Sequence, residues 1–356
     1  MIRKLAVKGV TVFPDAASFH FVQGINVIVG GNDSGKSQLM KIAYALSQWS
    51  HEGGQRELPE VWAEEQRLRL KLLRVFGTRE LSGLTARNRG NGYAEVRSSM
   101  EGDGVPPGTG ELAFHFRARE EESGLKIERM PERFTRENAV FLSAREVLSL
   151  FPCYVQVGKK YPELIDGASW DMCRALETTP APGQELEVGM KRVLERVEKI
   201  LAGSLLRLNN RFFLKRPGQE LVEMNLVAEG FKRLGTLGLL IQSNMVRRGT
   251  SLFWDEPEMN LNASHLPRLV KLILELCKSG VQVMLTSHSL FLLRELVLQL
   301  EEGKNAQVQR RFFGLQAPSE NRFGVVVRQG KTLEEVGPLA SLEAEIEQAD
   351  RYLRMN

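Results

Sequence analysis

Cysteine is scarce: Cys153, Cys173 and Cys277 are the only three in 356 residues. An odd number without metal-ligand spacing excludes a disulfide framework and a zinc cluster. It leaves small apolar side chains, expected in the core of a protein kept in a reducing compartment. Long hydrophobic runs are missing too. None approaches the roughly 18 residues that span a bilayer, and no basic-then-apolar leader opens the chain, so a cytoplasmic protein with no membrane contact is expected. No heptad pattern persists beyond a few turns, which excludes a long coiled-coil arm. Neither sign of charge dominates, since 48 Lys and Arg face 44 Asp and Glu for a net +4. That balance permits nucleic-acid contact without arguing for it. The length suits one elaborated domain, or one domain with inserted lobes.

What the sequence does have is concentrated in a few stretches. Ile25, Val27, Ile28 and Val29 form an apolar run too short for a helix and right for a buried parallel strand. It leads into Gly30-Gly31-Asn32-Asp33-Ser34-Gly35-Lys36-Ser37, a Walker A phosphate loop, followed by Gln38. Leu39, Ile42, Ala43 and Leu46 then recur at helical spacing, so a helix begins at about Lys36. Strand, glycine loop and helix in that order aim backbone N–H groups and a positive helix end at one point, where a polyphosphate belongs. Lys36 would neutralise the β and γ phosphates and Ser37 would ligate Mg²⁺. Asp33 tolerates the left-handed backbone such a loop needs.

More than two hundred residues on, Ser251-Leu-Phe-Trp-Asp-Glu-Pro-Glu258 is an apolar strand ending in adjacent acids, a Walker B segment. Asp255 would hold Mg²⁺ through its water shell, and Glu256 would act as base on the attacking water. Val281 to Thr286 is a further buried strand, and His288 lies just past its end, within reach of a γ phosphate. Between these segments, Leu226-Val-Ala-Glu-Gly-Phe-Lys-Arg-Leu234 starts an apolar helix.

The order of loop lysine, Ala-Glu-Gly helix start, Asp-Glu-Pro-Glu-x-Asn-Leu-Asn and Thr-Ser-His-Ser resembles the ABC-type ATPases. The resemblance is closest to the soluble branch of RecF, SMC and OLD families, and to compact bacterial AAA-family ATP-binding proteins met in phage defence and toxin–antitoxin settings. It covers residues 1–50 and 205–300 well and the middle loosely. It implies a P-loop α/β fold, an ABC-ATPase-like head with a mixed sheet. It also implies ATP with Mg²⁺, and a homodimer in which each head caps the other's nucleotide. Carried over, Ala228, Glu229 and Gly230 would be the capping contact. Ala228 stands where the family usually has a serine hydroxyl, which suggests slow turnover. A separate effector protein, a larger ring and nucleic acid are further partners the resemblance allows. A transporter's energy-supplying subunit and an ATP-holding scaffold are the other function classes.

The expected organisation is a core at 1–50 and 205–356, an inserted antiparallel β lobe at 51–135 and a helical lobe at 136–204, with a short apolar strand at Asn138–Ser143 and helix dominating from there to about 225. Strand alternation marks Tyr93–Val96, Leu112–Phe116 and Leu125–Ile127, and a Pro-Ala-Pro-Gly break falls at 180–183. Arg67, Arg69, Arg74, Arg79, Arg87, Arg89 and Arg97 form either a basic face or an ordinary solvated surface. Phe13 is either a core ring or a base-stacking partner. Residues 303–356 are expected to hold one strand, near Gly324 to Arg328, and a closing helix.

Overall fold

The computed structural model describes residues 1–55, 60–86, 92–117, 124–161, 164–179, 185–209, 211–317, 323–337, 347–348 and 350–354. The chain begins with β1 (Ile2–Lys8), β2 (Ala17–His20), β3 (Ile25–Gly30), α1 (Lys36–Gly53) and α2 (Val61–Phe76). A β-rich stretch follows, with β4 (Tyr93–Gly102), β5 (Val105–Arg117), β6 (Leu125–Arg129) and β7 (Ala139–Leu142). Next come α3 (Phe151–Lys160), α4 (Gly167–Glu177), α5 (Val188–Leu201), β8 (Ser204–Leu208), β9 (Arg211–Lys215) and β10 (Val222–Glu223). The remainder is α6 (Glu229–Gln242), β11 (Ser251–Asp255), α7 (Leu266–Lys278), β12 (Gln282–Ser287), α8 (Leu290–Glu301), β13 (Arg310–Gln316) and β14 (Val326–Gly330).

The central sheet has the order β14-β13-β3-β12-β11-β7. All its pairs are parallel except β13 with β14. Such a sheet is covered on both faces, which is why its strands read as unbroken apolar runs. Period-two alternation sorts the side chains. Val27, Leu252, Trp254 and Val283 join the core beneath α5 to α8, while Ile28, Phe253 and Met284 join the core on the other face. There α1 is sandwiched between the parallel sheet and an antiparallel one of order β2-β1-β4-β5-β6. Ala43, Tyr44, Ala45 and Leu46 on α1 are consequently all buried.

This pairing corrects the expected boundaries. The β-rich insert is not a lobe apart, because β4 pairs with β1 from Ile2↔Met100 to Lys8↔Glu95 and shares its core. The short strand expected at Asn138–Ser143 is β7, and it forms the edge of the central sheet beside β11. The stretch read as helix up to 225 turns into a small antiparallel sheet of order β10-β9-β8. Ala202 (φ 51) ends α5, and Asn209 (φ 48) enters the hairpin turn. The tail supplies β13 as well as β14, and β13 lies directly beside the loop strand β3. Phe13 is buried in the core, edge-on to Phe19 with ring centroids 5.7 Å apart. Cys173 is buried, and burial pushes its thiol up to about 12. Cys153, expected in the core, is exposed on α3. Arg67, Arg69 and Arg74 ride on α2 and Arg97 on β4, whereas Arg87, Arg89 and the 180–183 break lie outside the described residues. No helix among the described residues is long and apolar enough to cross a membrane.

Candidate functional site

Parallel pairing brings the carboxyl ends of β3, β12 and β11 side by side. Val29 is opposite Ser287, and Thr286 is opposite Asp255. Residues far apart in sequence thus meet at the edge where α/β sheets bind ligands.

The loop between β3 and α1 closes through two left-handed residues, Asp33 (φ 59) and Gly35 (φ 86). At Gly35 a Cβ would also lie 2.3 Å from Val12 Cγ2, so glycine is required for space as well as for angle. Gly31, Asn32 and Asp33 are exposed, leaving their backbone open to a ligand. Lys36 is buried beneath them and donates to the carbonyls of Gly30 (2.9 Å) and Gly31 (2.8 Å). Burial lowers its pKa, an effect opposed by Glu256, Asp255 and Glu258. The buried Ser34 hydroxyl and the Gln38 side-chain carbonyl have no hydrogen-bond partner. A cradle with open N–H groups, a buried ammonium and an unpartnered hydroxyl fits a phosphate chain.

Beside the cradle, Ser37 Oγ donates to Asp255, 3.0 Å from Oδ2, and Thr286 Oγ1 donates to Asp255 Oδ1. One carboxylate with two hydroxyls is a hard oxygen set. It suits Mg²⁺, which keeps several waters and takes its other ligands from phosphate. The described residues hold no larger cluster of metal-ligating side chains. Glu256 stands one residue beyond, at φ 46, and its Oε1 lies 2.9 Å from His288 Nδ1. A non-glycine residue held at positive φ stores strain, and such outliers cluster at functional sites. Glu258 accepts from Ser287 Oγ, and burial raises its pKa.

The structure therefore brings together Gly30, Gly31, Asn32, Asp33, Ser34, Gly35, Lys36, Ser37, Asp255, Glu256 and His288. Ala228, Glu229 and Gly230 fall elsewhere, at the start of α6, and among the described residues no hydrogen bond joins them to the loop. Ala228 and Glu229 are exposed, while a Cβ on Gly230 would lie 2.4 Å from the Asn260 carbonyl.

One residue that sequence reasoning passed over is Arg233. It is 4% exposed, and its guanidinium donates to the carbonyls of Glu256 (2.8 Å), Asp255 and Ser143 (3.3 Å). Burial lowers its pKa, opposed by Glu258, Asp255 and Glu256. The only hint was a charged residue on the apolar side of an otherwise apolar helix. Arg233→Ala would leave those carbonyls without their donor and open a cavity beneath the site, at a cost of about 3 kcal/mol. A denaturant midpoint within error of wild type would contradict this.

The fold is P-loop NTPase and ABC-ATPase-like, the fold found in the heads of SMC proteins. A sequence profile described as "AAA domain, putative AbiEii toxin, Type IV TA system" matches residues 177–294, the part carrying α6, β11 and His288. The chain is similar to the SMC head bound to the C-winged helix domain of ScpA, with TM-score 0.54 and 16% identity over 94% of this chain and 98% of that one. It is also similar to the SMC head derived from Pyrococcus furiosus, with an extended coiled coil and the C-terminal domain of ScpA, at TM-score 0.51 and 15% identity over 99% of each chain. No curated protein matches.

Proposed function

We propose that the chain binds ATP with Mg²⁺, hydrolyses it slowly, and works as a switch in which two copies close head to tail around the nucleotide. The observation that carries this reading is the joining of Lys36, Ser37–Asp255 and Glu256–His288 at one sheet edge. Lys36 holds the phosphate chain. Ser37 and Asp255 hold Mg²⁺, which when bound neutralises phosphate charge. Glu256 takes a proton from the attacking water, and His288, anchored on Glu256, faces the γ phosphate.

Head-to-tail closure is supported by the position of Ala228 and Glu229, exposed at a helix start and away from their own loop. Leu226 just before them is 82% exposed, an apolar side chain on the surface a partner would cover. Without a hydroxyl at Ala228, backbone N–H groups at Glu229 and Gly230 would make the trans contact, which supports slow turnover. The ScpA domains on the two SMC heads support a separate partner protein. The toxin–antitoxin wording of the matched profile supports a defence setting for it. Phosphate release from purified protein tests the reaction. Mg²⁺-dependent release is expected, whereas ATP that stays bound and intact would instead favour a scaffold.

A further inference from the structure

At the opposite edge of the central sheet, where the parallel strands begin, the chain forms a second concavity. A cleft of about 650 Å³ is lined by the segments ahead of β7 and β11, including Arg136, Arg247 and Arg248, and by Asp103 and Glu187. A second cleft of about 490 Å³ shares Gln23, Glu187, Arg248 and Gly280 with it and adds Lys278. The two form one trough, of a size that takes a small ligand.

The charges in this trough are unevenly matched. Arg3 Nε is paired with Glu101 at 3.2 Å, and the Met1 ammonium with Glu137 at 2.5 Å. Arg136, Arg247 and Arg248 have no ion pair or hydrogen bond to their guanidinium groups among the described residues, and all three are exposed. Like charges gathered on one concave surface repel each other, and a low-dielectric wall focuses their field outward. Guanidinium groups match phosphate oxygens bidentately. Asp103 and Glu187 on the same walls would repel a continuous polyanion, but they can accept hydrogen bonds from hydroxyl groups beside a phosphate.

We propose that this trough binds a compact phosphorylated ligand carrying neighbouring hydroxyls, a sugar phosphate or nucleotide, with Arg136, Arg247 and Arg248 on the phosphate. The site is separate from the phosphate loop, lying at the other end of the same strands. Ligand there would press on the amino ends of β11 and β12, whose carboxyl ends carry Asp255 and Thr286 about 13 Å away, the rise over four strand steps.

The test is isothermal titration of the full chain with ribose 5-phosphate and, separately, with inorganic phosphate. Wild type and Lys36→Ala should bind the sugar phosphate alike and more tightly than inorganic phosphate. Arg247→Glu combined with Arg248→Glu should weaken it at least tenfold without moving the melting temperature, because both side chains are exposed. No binding at millimolar ligand would overturn the proposal. So would binding that Lys36→Ala abolishes and the double variant keeps, which would assign the ligand to the phosphate loop. Equal affinity for inorganic phosphate would remove the role of Asp103 and Glu187. Arginine-dependent binding of duplex DNA or RNA alone would replace the compact ligand with an extended one.

Discussion

Lys36→Ala should weaken ATP binding about a hundredfold or more. Its ammonium is the cation seated inside the loop, on the carbonyls of Gly30 and Gly31. Removing one partner of a buried charge contact costs about 2–5 kcal/mol, and each 1.4 kcal/mol is a factor of ten in affinity. The empty protein should lose little stability. Burial already disfavours this ammonium, as its lowered pKa records, and the loop carbonyls it leaves lie beside exposed backbone that water can reach. The variant should therefore melt near the wild-type temperature without nucleotide and lose the upward shift that ATP gives wild type. An ATP affinity within twofold of wild type would sink the assignment of the loop.

Glu256→Gln should reduce phosphate release at least about a hundredfold, the usual worth of a positioned general base, while leaving ATP affinity near wild type. The substitution is isosteric, so the amide still reaches His288. The backbone that places residue 256 is held independently, by Thr286 Oγ1 on its N–H (3.1 Å) and by Arg233 on its carbonyl (2.8 Å). The Ser37–Asp255 pair is untouched, so Mg²⁺ should still load. Turnover at the wild-type rate would show that another group takes the proton. Glu258 would then be the first to examine, since it lies two residues on, burial raises its pKa and Ser287 fixes its orientation.

The candidate site was legible in the sequence because each piece is local. A loop whose glycines, lysine and serine sit within one turn, and acids at the end of an apolar run, announce their chemistry without reference to the rest of the chain. Even the left-handed Asp33 followed from its residue type. The parts that were not legible depend on contacts across the fold. Nothing in Tyr93–Gly102 says that it pairs with β1 ninety or so residues earlier. Arg310–Gln316 gives no sign that it will lie beside β3, because its own alternation is interrupted by Gly314. The hairpin at 204–215 was hidden because Leu205 continued the apolar spacing of α5, although Asn209 marked the turn. Arg233 escaped for the same reason in energetic form. Its role lies in three carbonyls from two strand ends, and those converge only when β7 and β11 pair.

That convergence bears on the proposed switch. The first turns of α6 carry both the segment proposed to cap a partner's nucleotide and the arginine that holds the backbone of Asp255 and Glu256. Lys232, one residue before Arg233, donates to Ser149 Oγ at 2.8 Å, beyond the end of β7. Glu146 accepts from the Ser149 N–H (3.1 Å) and so serves that local turn.

The central claim is nucleotide-driven closure of two heads. Its most direct test is light scattering during size exclusion, on wild type and Glu256→Gln, each with and without ATP and Mg²⁺. The expected result is a monomer mass without nucleotide and a doubled mass for Glu256→Gln with ATP, with wild type falling back as it releases phosphate. A mass that ignores ATP in both proteins would contradict the switch and remove the capping role of residues 228–230.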